Sequence, residues 1–175
     1  MTSFKEFHAA NNPGNYVSVD VEGLPLHLVR ALPGKPNTKP HITLMYSKES
    51  AVPLEHVNFI LRRWERILGT SVQVTGVDVF DSVPKDGTRD ATLGCIVLKI
   101  TDNRIESIHQ QLLSYGMKHS YVPFSAHATL IYDCELSQCK TVAEEIKKSL
   151  QTEPILLKLT KFNNQHIIKD WAEKL

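Results

Sequence analysis

Residues 41–46 read His-Ile-Thr-Leu-Met-Tyr and residues 127–132 read His-Ala-Thr-Leu-Ile-Tyr, so one pattern, H-x-T-L-x-Y, occurs twice in 175 residues. With ordinary residue usage, two such events among eight histidines arise by chance in roughly one chain per thousand. In an extended strand alternate side chains share a face, so a His and a Thr two positions apart project the same way. On regular alternation Ile42, Leu44 and Tyr46 point to the other face, as do Ala128, Leu130 and Tyr132. Each segment then offers an imidazole and a hydroxyl above apolar anchors, and Tyr46 and Tyr132 are read as core packing. Duplicated about a twofold axis, the two His-Thr pairs face one cleft.

Two imidazoles across a phosphate meet the needs of phosphodiester cleavage without a metal. One removes a proton from the attacking oxygen and the other protonates the leaving oxygen. Imidazole titrates near neutrality, so both protonation states coexist at working pH. The hydroxyls of Thr43 and Thr129 can donate to the non-bridging oxygens where charge develops. A zinc site is a poor alternative, because the chain has no H-E-x-x-H and no carboxylate at ligand spacing near either motif.

The elements that must carry these residues alternate strands with helices. Tyr16–Asp20 alternates as a strand, Glu22-Gly23 offers a turn, and Leu24–Leu32 resumes an extended pattern. Residues 33–40, with three prolines and a glycine, form a loop with no regular structure. Residues 53–68 form a helix whose stripe is Leu54, Val57, Leu61, Trp64 and Leu68, ended by Gly69. A strand over 71–80, a polar loop over 82–92 and a buried strand over 93–100 follow. Asp102 caps a helix ended by Gly116, and residues 125–132 form the second motif strand. Ser137 caps a third helix, residues 155–162 return as a strand, and the tail is open between a short strand and a loose cover. The pattern is α+β or mixed α/β.

Composition limits the partners. Twenty Lys and Arg against nineteen Asp and Glu give a net charge of +1, too little for an electrostatic grip on long nucleic acid. No apolar run reaches membrane-spanning length, and Met1–Ala10 lacks the apolar stretch of a signal peptide. The three cysteines, Cys95, Cys134 and Cys139, are odd in number and form no C-x-x-C pair. That argues against a disulfide scaffold, makes Cys95 a buried thiol, and suggests a reducing cytoplasm.

The paired motifs HITL and HATL resemble the H-x-[ST]-x pairs of the 2H phosphoesterase superfamily. Each is followed by a helix and then by a strand ending near an aromatic, VDVF at 77–80 and KLTKF at 158–162. The resemblance implies a bilobal, pseudo-twofold α+β fold, with both motifs central in a concave, antiparallel-rich sheet flanked by helices. It also implies one domain over 1–175, its two lobes sharing a cleft, and a metal-independent reaction that needs no cofactor. NYVSVD near the start, the GKPNTKPHITLMYSKES block and a short tail carrying Trp171 are most similar to the phage anti-CBASS phosphodiesterases. That likeness implies a cyclic di- or trinucleotide substrate, a bacterial immune signal, opened by attack of a ribose 2′-OH on its 3′–5′ phosphodiester. His41 and His127 would share acid and base duty, with Thr43 and Thr129 on the phosphate.

Other residues are weaker candidates. Lys39 lies two before His41 and is placed to touch phosphate, as Ser125 lies two before His127. Tyr16 and Trp171 are candidates for stacking on nucleobases. Lys35, Lys85 and Arg89 lie on loops that could rim the cleft. The other six histidines have no evident partner. Three rival readings stay open: the same machinery on RNA 2′,3′-cyclic ends or 2′–5′ oligoadenylates, a module that sequesters nucleotides without cutting them, and a structural phage protein that reuses the fold.

Overall fold

The computed structural model of the chain describes residues 14–48, 52–81 and 92–167. Among them run β1 (Asn15–Glu22), β2 (Lys35–Pro36), β3 (His41–Ser47), α1 (Leu54–Trp64), β4 (Ser71–Asp81) and β5 (Leu93–Ile100). After these come α2 (Asn103–Ser114), β6 (His127–Glu135), α3 (Leu136–Ser149) and β7 (Leu156–His166). The fold is α+β, and every strand pairing is antiparallel.

The sheet order is β2-β6-β3-β1-β7-β4-β5, and a further pairing of β5 with β6 closes six of the strands into a ring. Two seams are thin. β3 meets β6 at a single residue pair, Ile42 with Ala128, and β4 meets β7 over three. The seams divide the ring into two three-stranded halves, β3-β1-β7 and β6-β5-β4, in which β3 corresponds to β6, β1 to β5 and β7 to β4. Helix placement follows the same symmetry: α1, after β3, packs on β7, while α3, after β6, packs on β4. The α2 helix packs on α1 and β3 and has no counterpart among the described residues.

The core lies between the helices and the outer face of the sheet. Val17, Val19, Ile42, Leu44, Leu98, Ala128, Leu130, Leu157 and Leu159 are fully buried there, against Ile60, Ile108 and Ile146 of the helices. Asp102 caps α2 as expected, accepting from the backbone N–H of Arg104 and Ile105. Gly69 and Gly116 lie past their helices at φ +87° and +95°, where an L side chain would be strained.

Several local expectations are corrected. Leu26–Val29 is a 3₁₀ turn rather than an extended run, since Pro25 and Gly23 interrupt the alternation. Residues 33–40 contain the short strand β2, pinned to β6. The third helix starts at Leu136 with Glu135 at its cap, so Ser137 lies inside it and its Oγ donates to Glu135 Oε1 at 2.7 Å. Cys134 and Cys139 are joined by a disulfide at the β6–α3 junction, with Cα atoms 6.2 Å apart. Cys95 is free and half-buried rather than fully buried. Among the described residues no helix is long and apolar enough to cross a membrane.

The largest correction concerns the motif strands. β1 pairs Val17 with Met45 but Ser18 with Thr43, which leaves Leu44 as an extra residue on β3. β5 pairs Ile96 with Ile131 but Val97 with Thr129, leaving Leu130 extra on β6. Both H-x-T-L repeats therefore carry a β-bulge at the Leu, and a bulge resets the alternation beyond it. The backbone groups it frees from the ladder need partners. His109 Nδ1–H donates to Leu44 O at 2.7 Å, and Tyr46 N–H donates to His119 Nδ1 at 3.1 Å. On the other motif Asn37 N–H donates to Leu130 O at 3.1 Å and its Nδ2 to Thr129 O at 2.8 Å. Two histidines without an evident sequence partner thus hold the first bulge.

This arrangement predicts an acid sensitivity. Burial, and secondarily His109, push the His119 pKa down to about 4. The unfolded chain binds that proton near pH 6.5, so between the two values it carries more protons than the folded chain. Stability is expected to fall as pH drops from about 6.5 toward 4. Urea midpoints across that window check it: His119→Gln should flatten the dependence relative to the native chain, and an unchanged dependence contradicts the assignment.

Candidate active site

The Ile42–Ala128 pair fixes the geometry of the site. Its antiparallel register sets His41 across from Thr129 and Thr43 across from His127, with all four side chains on the face opposite the core. Extending the printed pairings outward gives two rows across the concave face. One runs Lys161, Asp20, His41, Thr129, Val97, Asp78. The other runs Asn163, Ser18, Thr43, His127, Lys99, Gly76. Directly opposed Cβ atoms lie about 5 Å apart and diagonal positions about 7–8 Å apart, so the two imidazoles flank a space of phosphate size.

The imidazoles are held in the same way. His41 Nδ1 lies 3.0 Å from Lys39 O, and His127 Nδ1 lies 2.8 Å from Ser125 O. A carbonyl only accepts, so Nδ1 carries the proton in both rings and Nε2 is the nitrogen left for exchange with a ligand. Each ring also meets an aromatic edge-on: Tyr16 at 6.0 Å from His41, Phe80 at 5.3 Å from His127. Burial, aided by the charges of His41 and Lys99 and opposed by the Ser125 hydrogen bond, holds the His127 pKa below the usual imidazole range.

The threonines have tyrosine partners. The Tyr16 hydroxyl lies 3.2 Å from Thr43 Oγ1, and the Tyr132 side chain is hydrogen-bonded to Thr129. Burial raises both phenol pKa values, against the lowering effect of these bonds, so both phenols stay neutral at pH 7. Tyr132 is thus brought to the site face rather than the core, as the Leu130 bulge dictates. Tyr46 is likewise paired with Tyr16, their rings 5.9 Å apart, and is covered by Tyr121 stacked at 5.7 Å. The core reading of Tyr132 is overturned; Tyr46 is buried as expected, at 7% exposure, but its pairing with Tyr16 sets it on the site face.

Of the weaker candidates, Tyr16 lies in the site. Lys39 is exposed, and it is its carbonyl that serves, orienting His41. Lys35 pairs with Asp133 at 3.0 Å. Trp171, Lys85, Arg89 and the loop over 82–91 lie outside the described residues. Sequence reading missed Asp20, Asn37, Phe80 and Lys99. Only strand register shows them, because they enter the site from β1, β4, β5 and the β2–β3 link. Among the described residues no group of three or more His, Cys, Asp or Glu is arranged to hold a metal ion. A cavity of about 510 Å³ opens beside Lys99 and Ser125, lined also by Thr75, Asp102, Glu106 and Phe124.

No curated protein matches the chain. The solved structure of Kluyveromyces marxianus Usb1 is similar with a TM-score of 0.49 and 12% identity, covering 90% of this chain and 95% of that one. Residues 34–174 match the family model described as anti-CBASS protein Acb1, a span that includes both motifs and begins after β1. The chain carrying these two reciprocal His-Thr pairs belongs to the Acb1 anti-CBASS family.

Proposed function

We propose that this protein is a phosphodiesterase that opens cyclic di- or trinucleotide immune signals at a 3′–5′ bond, without a metal ion, as a phage counter to CBASS immunity. The observation that carries the reading is the reciprocal placement of His41 and His127 across from each other's Thr, both with Nδ1 pinned to a carbonyl. Membership of an anti-CBASS family supports the substrate class. A ribose 2′-OH attacks phosphorus; the O2′–P bond forms as the P–O5′ bond breaks. One imidazole takes the 2′ proton and the other protonates O5′. Thr43 and Thr129, their hydroxyls oriented by Tyr16 and Tyr132, donate to the non-bridging oxygens. Lys99 offsets the phosphate charge, and the cavity beyond it has room for one nucleoside of the ring.

A panel of cyclic dinucleotides, cyclic trinucleotides, 2′–5′ oligoadenylates and RNAs with 2′,3′-cyclic ends, read by chromatography, tests the substrate. Preferential loss of the cyclic oligonucleotides, unchanged by EDTA, is the expected result. Turnover confined to RNA ends would reassign the substrate. Recovery of intact cyclic ligand after long incubation would make the protein a sequestering module. Loss of activity on chelation would overturn the metal-free mechanism.

A further inference from the structure

Two charged residues break the symmetry of the site. The pseudo-twofold that equates His41 with His127 and Thr43 with Thr129 also equates the residue paired with each imidazole on the outer strand. Beside His41 that residue is Asp20 on β1; beside His127 it is Lys99 on β5. Equivalent positions therefore carry opposite charge, each about 5 Å from its imidazole at Cβ. We propose that Asp20 and Lys99 divide the labour of the two histidines: His127 is the general base and His41 the general acid. This rests on the phosphodiesterase reading and goes one step past it.

The reason is electrostatic. A carboxylate beside an imidazole favours the imidazolium, which can give a proton; an ammonium favours the neutral ring, which can take one. The other charges near the pair leave this difference in place. On the His41 side Lys161 faces Asp20 from β7, one strand farther from the ring, and Asn163 Nδ2 donates to Asp20 Oδ1 at 2.6 Å, which fixes the carboxylate. The ammonium of Lys39 is exposed on the approach to β3. On the His127 side Asp78 Oδ2 is 4.0 Å from Lys99 Nζ, again one strand farther out. Asp102 and Glu106 line the cavity beside Lys99, and Arg104 pairs with Asp102 at 2.9 Å. His41 faces His127 from β3, and its positive charge adds to that of Lys99. Burial acts on His127 in the same direction. In the reaction the 2′-OH proton passes to His127 Nε2, and the proton on His41 Nε2 passes to O5′ as it leaves.

Two measurements test the proposal, and they fail separately. Titration of the imidazole ring signals by NMR needs no substrate. His127 should titrate below the usual imidazole range. Lys99→Met should raise the His127 midpoint, and Asp20→Asn, which removes the carboxylate paired with His41, should slow cleavage of a cyclic dinucleotide. A His127 midpoint that stays in place in Lys99→Met, or an unchanged rate in Asp20→Asn, overturns the charge argument. The second measurement compares a cyclic dinucleotide with a nucleoside 3′-(4-nitrophenyl) phosphate, whose phenolate departs without a proton. His41→Ala should lose about 10³-fold on the cyclic dinucleotide but stay within about tenfold of the native rate on the nitrophenyl ester. His127→Ala should lose activity on both. If His127→Ala is the spared variant, or both are impaired equally on both substrates, the assignment is wrong. If the native protein cleaves neither substrate, the phosphodiesterase reading itself falls, and the roles with it.

Discussion

Replacing His41 and His127 together by Ala is expected to lower cleavage of a cyclic dinucleotide by about 10⁴-fold while the chain stays folded. The two rings act in one step, so either single substitution should cost nearly as much as both. They lie half-buried on the concave face rather than among the fully buried side chains of the core. Their removal should therefore change stability by no more than about 1 kcal/mol. His→Asn at each position separates structure from chemistry. The amide can keep the donor to Lys39 O or Ser125 O while Nε2 is lost, so activity should fall as far as in the Ala variants. Product chromatography beside a denaturation curve reads both quantities. A double variant that still cuts at the native rate would remove the catalytic assignment.

Leu130→Ala should destabilise the chain by about 3 kcal/mol, measured as a shift in the urea midpoint. Leu130 is 0% exposed in the core, so its truncation loses transfer energy and leaves a cavity. Tyr132→Ala, two residues on, should cost less than about 1 kcal/mol, because Tyr132 is 37% exposed on the opposite face. Regular alternation makes the contrary forecast, since it would set Leu130 and Tyr132 on one buried face with comparable losses. The comparison therefore tests the bulge. Tyr132→Ala should also slow turnover, because Thr129 loses the partner that orients its hydroxyl. A Tyr132→Ala loss as large as that of Leu130→Ala would return the tyrosine to the core.

Much of the site is legible in the sequence. The doubled H-x-T names four side chains that share a face, because the rule it uses, a two-residue period, is local and holds up to the first bulge. The Asp102 cap, the glycine ends of the first two helices and the helix-then-strand sequel of each motif are likewise written in short-range chemistry. Regular alternation gives the wrong face for Tyr46 and Tyr132, and the wrong burial for Tyr132 alone, because that local rule stops at the bulge. Nothing in H-x-T-L-x-Y announces a bulge at Leu44 or Leu130. Its stability comes from His109 and His119 on one side and Asn37 on the other, groups distant along the chain.

By itself, then, the sequence determined the reacting side chains and their pairing within each strand. Tertiary structure alone decided their relation across the cleft. A single residue pair, Ile42 with Ala128, sets each histidine against the other's threonine. The register of β1 and β5 then brings a carboxylate to one imidazole and an ammonium to the other. Register depends on how six strands close into one ring, and that is a property of the folded chain, outside the reach of any motif.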